Sequence, residues 1–200
     1  KALANRLLHL EVDSTFASWR KWAIQNGINE KVIGFLEFRN DYLNQTSMKG
    51  DDLAFYTPRS WEMVSNILNT VSDDVNAVYP MVAGLIGSGL AIEFRSWCNL
   101  HKDLPDMEDI FDGRETKLPE RSDVVYAVVS SMVAYAKDHR YERERIGNSL
   151  KYAKKMPADY VALLLQSYEV IEDNYKDILM QIPEYLDLVG KRSVMRNGSV

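Results

Sequence analysis

Apolar residues recur every three or four positions along most of the chain, a spacing that places them on one face of an α-helix. The pattern is clearest in the segments 16–23, 32–36, 61–68, 91–98, 124–136 and 160–171. The only convincing strand candidate is Leu7–Val12, which is short and lacks a partner strand, so we interpret it as the remnant of a sheet. The pattern therefore predicts an all-α chain with a short strand near its first residue.

Residues that favour helix ends indicate where several of these helices begin and stop. Asn29 and Thr57 are suitable N-caps, because a short polar side chain can accept a hydrogen bond from a free amide of the first turn. Pro80 lies inside an apolar segment and predicts a kinked or divided helix. The segment 104–119 contains two prolines and a turn, so it predicts a loop, with one short helix at 107–111, between two helical clusters.

The composition supports a folded interior and argues against several classes of protein. Hydrophobic residues make up 46% of the 200 positions, which is enough for a real core. The net charge is −5 and no block of Lys and Arg occurs, so nucleic-acid binding is a weak alternative. The single cysteine, Cys98, excludes a disulfide framework and fits a reducing compartment. No apolar run has the length of a membrane span, and we expect a cytoplasmic protein.

The residue types that carry most enzyme chemistry form no recognisable site in this chain. No GxxxxGK[ST] phosphate loop occurs, and the cluster Gly84, Gly87 and Gly89 fits close helix packing or a turn better than a phosphate cradle. Cys98 lies on an apolar helix face and is interpreted as packing. No metal site is predicted, because the three histidines lack metal-ligand spacing: His9, His101 and His139. Each tryptophan lies on a predicted apolar helix face and is a core candidate: Trp19, Trp22, Trp61 and Trp97.

The segment Thr57–Trp61 predicts a helix whose first turn carries an arginine. Pro58 suits the first helical position, because the N–H that it lacks would have no partner there. Arg59 then lies beside the free amides and the positive end of the helix dipole, where a guanidinium can bind a phosphate through two parallel hydrogen bonds. The alternative interpretation is a surface arginine that follows an ordinary cap.

Several segments occur in a particular order along the chain. They are Ala2–Leu7 (ALANRL), the helix with Trp19 and Trp22, Val32–Arg39 (VIGFLEFR), Thr57–Glu62 (TPRSWE), Gly84–Gly87 (GLIG) and Ala91–Phe94 (AIEF). Together these residues resemble the C-terminal part of MoxR-like AAA+ ATPases. The resemblance covers about Ala2–Trp97, and beyond Leu104 only the helical character is similar. Lys1 leads directly into the first of these segments, so we expect the chain to be a C-terminal piece of a longer protein.

The resemblance implies a division of the chain and roles for three of its residues. Residues 1–12 would end the AAA+ core, residues 13–103 would form its helical lid, and residues 104–200 would be a C-terminal helical extension. Pro58 and Arg59 would bind the ATP cofactor, and Arg59 matches the sensor-2 arginine that reaches the γ-phosphate of ATP in its own subunit. Arg6 matches an arginine that can act as an arginine finger on the ATP of a neighbouring subunit.

The same resemblance implies the activity and the partners of the longer protein. That protein would hydrolyse ATP with Mg²⁺ and would form a homo-oligomeric ring, a hexamer, that remodels a protein or an assembly. The P-loop lysine, the metal-binding acidic residues and sensor 1 would lie before Lys1, so this chain alone is not expected to be active. The alternative is a helical protein-interaction module without a nucleotide role, supported by the acidic composition and the apolar segment 160–171.

Overall fold

The computed structural model describes residues 8, 15–45, 55–100, 104–114 and 116–197. Within these ranges the chain is helical and contains no strand, which confirms the all-α prediction. The strand candidate Leu7–Val12 lies outside the described residues, apart from Leu8. None of the described helices is both long and apolar enough to cross a membrane. The helices are α1 (Phe16–Gln25), α2 (Glu30–Phe38), α3 (Pro58–Thr70), α4 (Val75–Ile86), α5 (Ser88–Leu100), α6 (Met107–Phe111), α7 (Ser122–Asp138), α8 (Arg143–Ala153), α9 (Ala158–Tyr168), α10 (Tyr175–Leu179) and α11 (Pro183–Asn197), and a 3-10 turn covers Asn40–Tyr42.

The helix boundaries agree with most of the predicted ends. The Asn29 side chain accepts a hydrogen bond from the Lys31 amide at 3.0 Å, and α2 begins at the residue between them. The short helix α6 occupies the segment predicted for it. The helix division that Pro80 predicted does not occur, because α4 continues through that residue. Packing of one face outweighs the single backbone hydrogen bond that proline cannot form. That face buries four residues: Val75, Val78, Val82 and Ile86.

The buried residues form one hydrophobic cluster that extends from α1 to α11. The most extensive contact between two described helices joins α2 to α7, and α9 also packs on α7. Gly34 of α2 faces Ser130 of α7 so closely that a methyl group at Gly34 would overlap the Ser130 hydroxyl. The predicted lid, 13–103, and the predicted extension, 104–200, therefore share a core, while the boundary between them stays a prediction.

The tryptophans show how far the apolar helix faces coincide with the core. Trp61 and Trp97 are buried, and Trp19 is partly buried against the same cluster. The core prediction is wrong for Trp22, whose side chain is 39% exposed. Helix α1 buries Ala23 and Ile24, which follow Trp22 directly in the sequence. The spacing of apolar residues in α1 therefore indicated which face of the helix is buried, but not how many residues that face includes.

Gly34→Ala is expected to lower the free energy of unfolding by about 1–2 kcal/mol. Overpacking a close helix contact costs about 1–3 kcal/mol, and this exceeds the gain of about 0.5–1 kcal/mol that alanine brings to a helix interior. Gly84→Ala is the matched control, because its methyl group would meet nothing within 4 Å. Urea unfolding of the 200-residue chain measures both variants. Equal stabilisation by the two substitutions would contradict the close approach of α2 to α7.

Candidate functional site

The first turn of α3 has the capped geometry that its sequence predicts. Thr57 is extended, and its hydroxyl accepts a hydrogen bond from the Ser60 amide at 3.2 Å. The Ser60 hydroxyl accepts one from the Thr57 amide at 2.7 Å, so the two residues form a reciprocal capping box. Pro58 is the first helical residue. The helix start is confirmed, and it places Arg59 one residue further along the first turn.

Contacts with the core hold this turn in position. The Trp61 side chain is completely buried, and its indole N–H donates a hydrogen bond to the Tyr42 carbonyl at 2.7 Å. The Trp61 ring lies 5.6 Å from the ring of Phe35 and 5.4 Å from that of Phe94, measured between centroids. Both are ordinary aromatic packing distances. The backbone at Arg59 is therefore fixed two residues from a buried anchor.

Arg59 itself is exposed, and no other described residue forms an ion pair with it. Most other described arginines are paired with carboxylates: Arg20, Arg39, Arg114, Arg121, Arg140 and Arg145. Arg59 thus combines a guanidinium that no described carboxylate pairs with, a helix N-terminus and a rigid backbone. The guanidinium and the helix N-terminus each favour an anion, and carboxylates and phosphates are the anions that a guanidinium binds through two parallel hydrogen bonds.

The structure describes only part of the set that the resemblance implies. Arg6 lies outside the described residues, so its distance to Arg59 is not defined. Pro58 and Arg59 are adjacent at the start of α3. Among the described residues, no group of three His, Cys, Asp or Glu side chains has the arrangement of a metal site.

Cys98 is packed in the core, as predicted. Its side chain is buried in α5, and burial raises the pKa of the thiol far above its usual range. A thiol that stays protonated is a poor nucleophile and a poor metal ligand. The structure therefore supports the packing interpretation of this residue.

Sequence reasoning did not identify a cavity of about 440 Å³ between the pair α1 and α2 and the pair α7 and α9. Two carboxylates of α2, Glu30 and Glu37, line it one below the other, seven residues apart. Glu37 accepts a hydrogen bond from Arg20 of α1 at 3.2 Å, and Arg20 also donates to Gln166 of α9 at 3.1 Å. Burial raises the pKa of Glu37, and the Arg20 charge opposes that shift.

Glu30 has a different environment in the same cavity. The Ser131 hydroxyl donates a long hydrogen bond to its carboxylate at 3.4 Å. Burial raises the pKa of Glu30, and the charge of the neighbouring Lys31 opposes that shift. The Lys31 ammonium, however, binds Asp73 and not Glu30. A partly buried carboxylate with one weak donor can still accept further hydrogen bonds.

The chain matches no family model, and no curated protein or solved structure is significantly similar to it. The resemblance to MoxR-like ATPases therefore rests on the ordered segments themselves. The geometry at Arg59 and the cavity between α2 and α7 are the features from which a function can be argued.

Proposed function

We propose that this chain is the lid and C-terminal helical region of a MoxR-like AAA+ ATPase. The observation that supports the proposal is Arg59, exposed at the start of a capped helix and paired with none of the described carboxylates. The longer protein would be a cytoplasmic, hexameric ring that uses ATP hydrolysis to remodel a protein or an assembly. This chain lacks a GxxxxGK[ST] loop, so the remaining ATP-binding residues would belong to the preceding part of that protein.

In this proposal the residues of the chain bind and position a phosphate group. ATP supplies a phosphoryl group on which negative charge develops during transfer to water. The Arg59 guanidinium would donate hydrogen bonds to the terminal phosphate oxygens, and the start of α3 would add the positive end of the helix dipole. The buried Trp61 and the capping box at Ser60 hold that turn fixed, so little reorganisation is needed when charge develops.

Phosphate release tests whether the longer protein is an ATPase at all. We expect steady-state release from ATP by the longer protein and none by the 200-residue chain alone. The chain alone supplies an arginine but no P-loop, and an arginine contributes only when the phosphates are already held. A longer protein that releases no phosphate in the presence of Mg²⁺ and ATP would contradict the proposal.

Mixing of subunits tests the role proposed for Arg6 in trans. Arg6→Ala subunits and subunits with a substituted P-loop lysine are each expected to be inactive. Mixed rings are expected to regain part of the activity, because some interfaces then combine an intact P-loop with an intact Arg6 from its neighbour. Phosphate release across a range of mixing ratios measures this. Activity that never exceeds the sum of the two separate preparations would contradict a role in trans.

The alternative, an interaction module, loses part of its sequence support in the structure. The apolar segment 160–171 is largely accounted for by the chain's own packing. Its most buried members belong to the common core: Leu164, Leu165, Tyr168 and Ile171. Because these residues are buried in the chain's own core, α9 does not present them to a partner protein. The alternative still predicts that substitution of Arg59 leaves both stability and partner binding unchanged.

A further inference from the structure

The cavity between α2 and α7 has apolar walls and an acidic polar side. Its volume of about 440 Å³ lies within the range of small-molecule sites. Aliphatic side chains from α1, α2, α7 and α9 and from the loop before α2 form the walls: Ile24, Ile28, Ile33, Val129, Val133 and Leu163. Aliphatic walls can pack against the apolar part of an organic molecule. The polar side chains of the cavity determine which charged or polar group of that molecule can bind.

The charges around the cavity do not balance. Lys137 is the cation among the residues that line the cavity. Four carboxylates line it as well: Glu30, Glu37, Asp73 and Asp138. Glu37 is paired with Arg20, and Asp73 with Lys31. The Lys137 ammonium donates to the Ile24 carbonyl at 2.7 Å and to the Gln25 carbonyl at 3.3 Å, so it caps the end of α1. Within the described part of the chain, Glu30 and Asp138 are left without an ion pair.

The residues that line the cavity suit neither an anion, nor a divalent metal ion, nor a neutral apolar molecule. An anion would meet an excess of carboxylates. A divalent metal ion needs several oxygen or nitrogen ligands at short distance, and the described residues contain no such group. A neutral apolar molecule would leave the partly buried Glu30 carboxylate with only the 3.4 Å contact to Ser131. A cationic head group on an apolar body satisfies both the walls and Glu30.

We propose that this cavity is a binding site for a small organic ammonium ion, with its ammonium group on Glu30 and its apolar body between α2 and α7. An ammonium group donates three hydrogen bonds, and a charge-assisted bond to a partly desolvated carboxylate is stronger than a neutral one. Asp138, exposed at the rim, adds a longer-range attraction. The inference concerns a place distinct from Arg59 and does not depend on the proposed ATPase activity.

Titration of the chain with 2-phenylethylamine, beside the neutral alcohol 2-phenylethanol, tests the site. Methyl resonances of Ile33, Val129 and Val133 are expected to shift saturably with the amine and much less with the alcohol. Glu30→Gln keeps the size and the Ser131 contact but removes the charge. It is expected to weaken amine binding by about tenfold, because one charge-assisted hydrogen bond is lost, and to leave alcohol binding unchanged.

Two further substitutions keep the test decisive if Glu30→Gln does not fold. Asp138→Asn removes an exposed carboxylate at the end of α7, where a negative charge does not favour the helix, so the fold should be unaffected. It is expected to weaken amine binding by about threefold, the effect of an exposed charge. Glu144→Gln, an exposed carboxylate on α8, is the matched control and should change nothing.

Several results of these titrations would contradict an ammonium site in the cavity. The site would be overturned by amine shifts that do not saturate, by shifts that map away from α2 and α7, or by equal affinity for the amine and the alcohol. It would also be overturned if Glu144→Gln weakened binding as much as Glu30→Gln. Normal amine binding by both Glu30→Gln and Asp138→Asn would place the ammonium group elsewhere.

Discussion

Arg59→Ala is expected to slow ATP hydrolysis by the longer protein about a thousandfold, the lower end of what an arginine on a transferring phosphoryl group contributes. The substitution removes an exposed side chain that pairs with no described carboxylate, so the fold should not change. The capping box of Thr57 and Ser60 stays intact, and α3 should begin at Pro58 as before. The loss is therefore expected in turnover and not in the circular dichroism spectrum.

The matched control for this substitution is Arg143→Ala. Arg143 is the first residue of α8, is exposed, and forms no ion pair with another described residue, so it shares these features with Arg59, although α8 lacks a side-chain cap. Its substitution should leave turnover within about twofold, as for a surface residue without a role. Arg59→Lys should be intermediate, because lysine keeps the charge but not the planar pair of donors. Equal turnover of the Arg59 and Arg143 alanine variants would move the interpretation to the interaction module.

Trp61→Ala is expected to destabilise the chain by about 3–5 kcal/mol, the usual cost of removing a large buried aromatic side chain. The ring contacts Phe35 and Phe94 and is completely inaccessible to solvent. The substitution also removes the indole donor from the Tyr42 carbonyl. Because folded domains are stable by only about 5–15 kcal/mol, much of the total would be lost. Urea unfolding followed by circular dichroism measures the change.

Two other tryptophan substitutions separate burial from residue type. Trp22→Ala removes the same side chain from a site that is 39% exposed, and its cost should be about 1 kcal/mol. Trp61→Phe retains an aromatic ring against Phe35 but lacks the donor to Tyr42, so its cost should lie between those of the two alanine variants. If Trp22→Ala and Trp61→Ala shifted the urea midpoint equally, Trp61 would not be the anchor of α3.

Local signals were sufficient for most helix starts. Asn29 and Thr57 act as caps in the structure as predicted, since a cap depends on the residue itself and on amides two or three positions later. The short helix α6 was also predicted. The start of α10 was missed, because Asn174 adopts a left-handed conformation there that no local pattern indicated.

Contacts between distant parts of the chain were not predictable in the same way. Arg20 donates to Gln166, and the two residues lie 146 positions apart in the sequence. The contact of Gly34 with Ser130 joins the two predicted segments, although Gly34 alone suggests only a small residue. Pairing of this kind depends on which helix faces meet, and periodicity identifies a face without naming its partner.

The local part of the candidate site was predictable from the sequence, and its tertiary contacts were not. The helix start at Pro58 and the position of Arg59 in its first turn followed from the capping residues. That Arg59 has no partner carboxylate in the described chain did not follow, because ion pairs depend on tertiary structure. The acidic cavity was missed for the same reason, since Glu30 and Asp138 come together only when α2 meets α7. The role of Arg6 stays a prediction.

The close contact between α2 and α7 has a mechanical consequence for the proposed ATPase. Gly34 of α2 packs closely against Ser130 of α7. Arg20 of α1 donates hydrogen bonds to Glu37 of α2 and to Gln166 of α9, so it connects the three helices. A rotation of α1 and α2 would therefore carry α7 and α9 with it, and α8 and α11 pack onto that assembly in turn. In the proposed ATPase, the C-terminal helices would then move together with α1 and α2 as a single body.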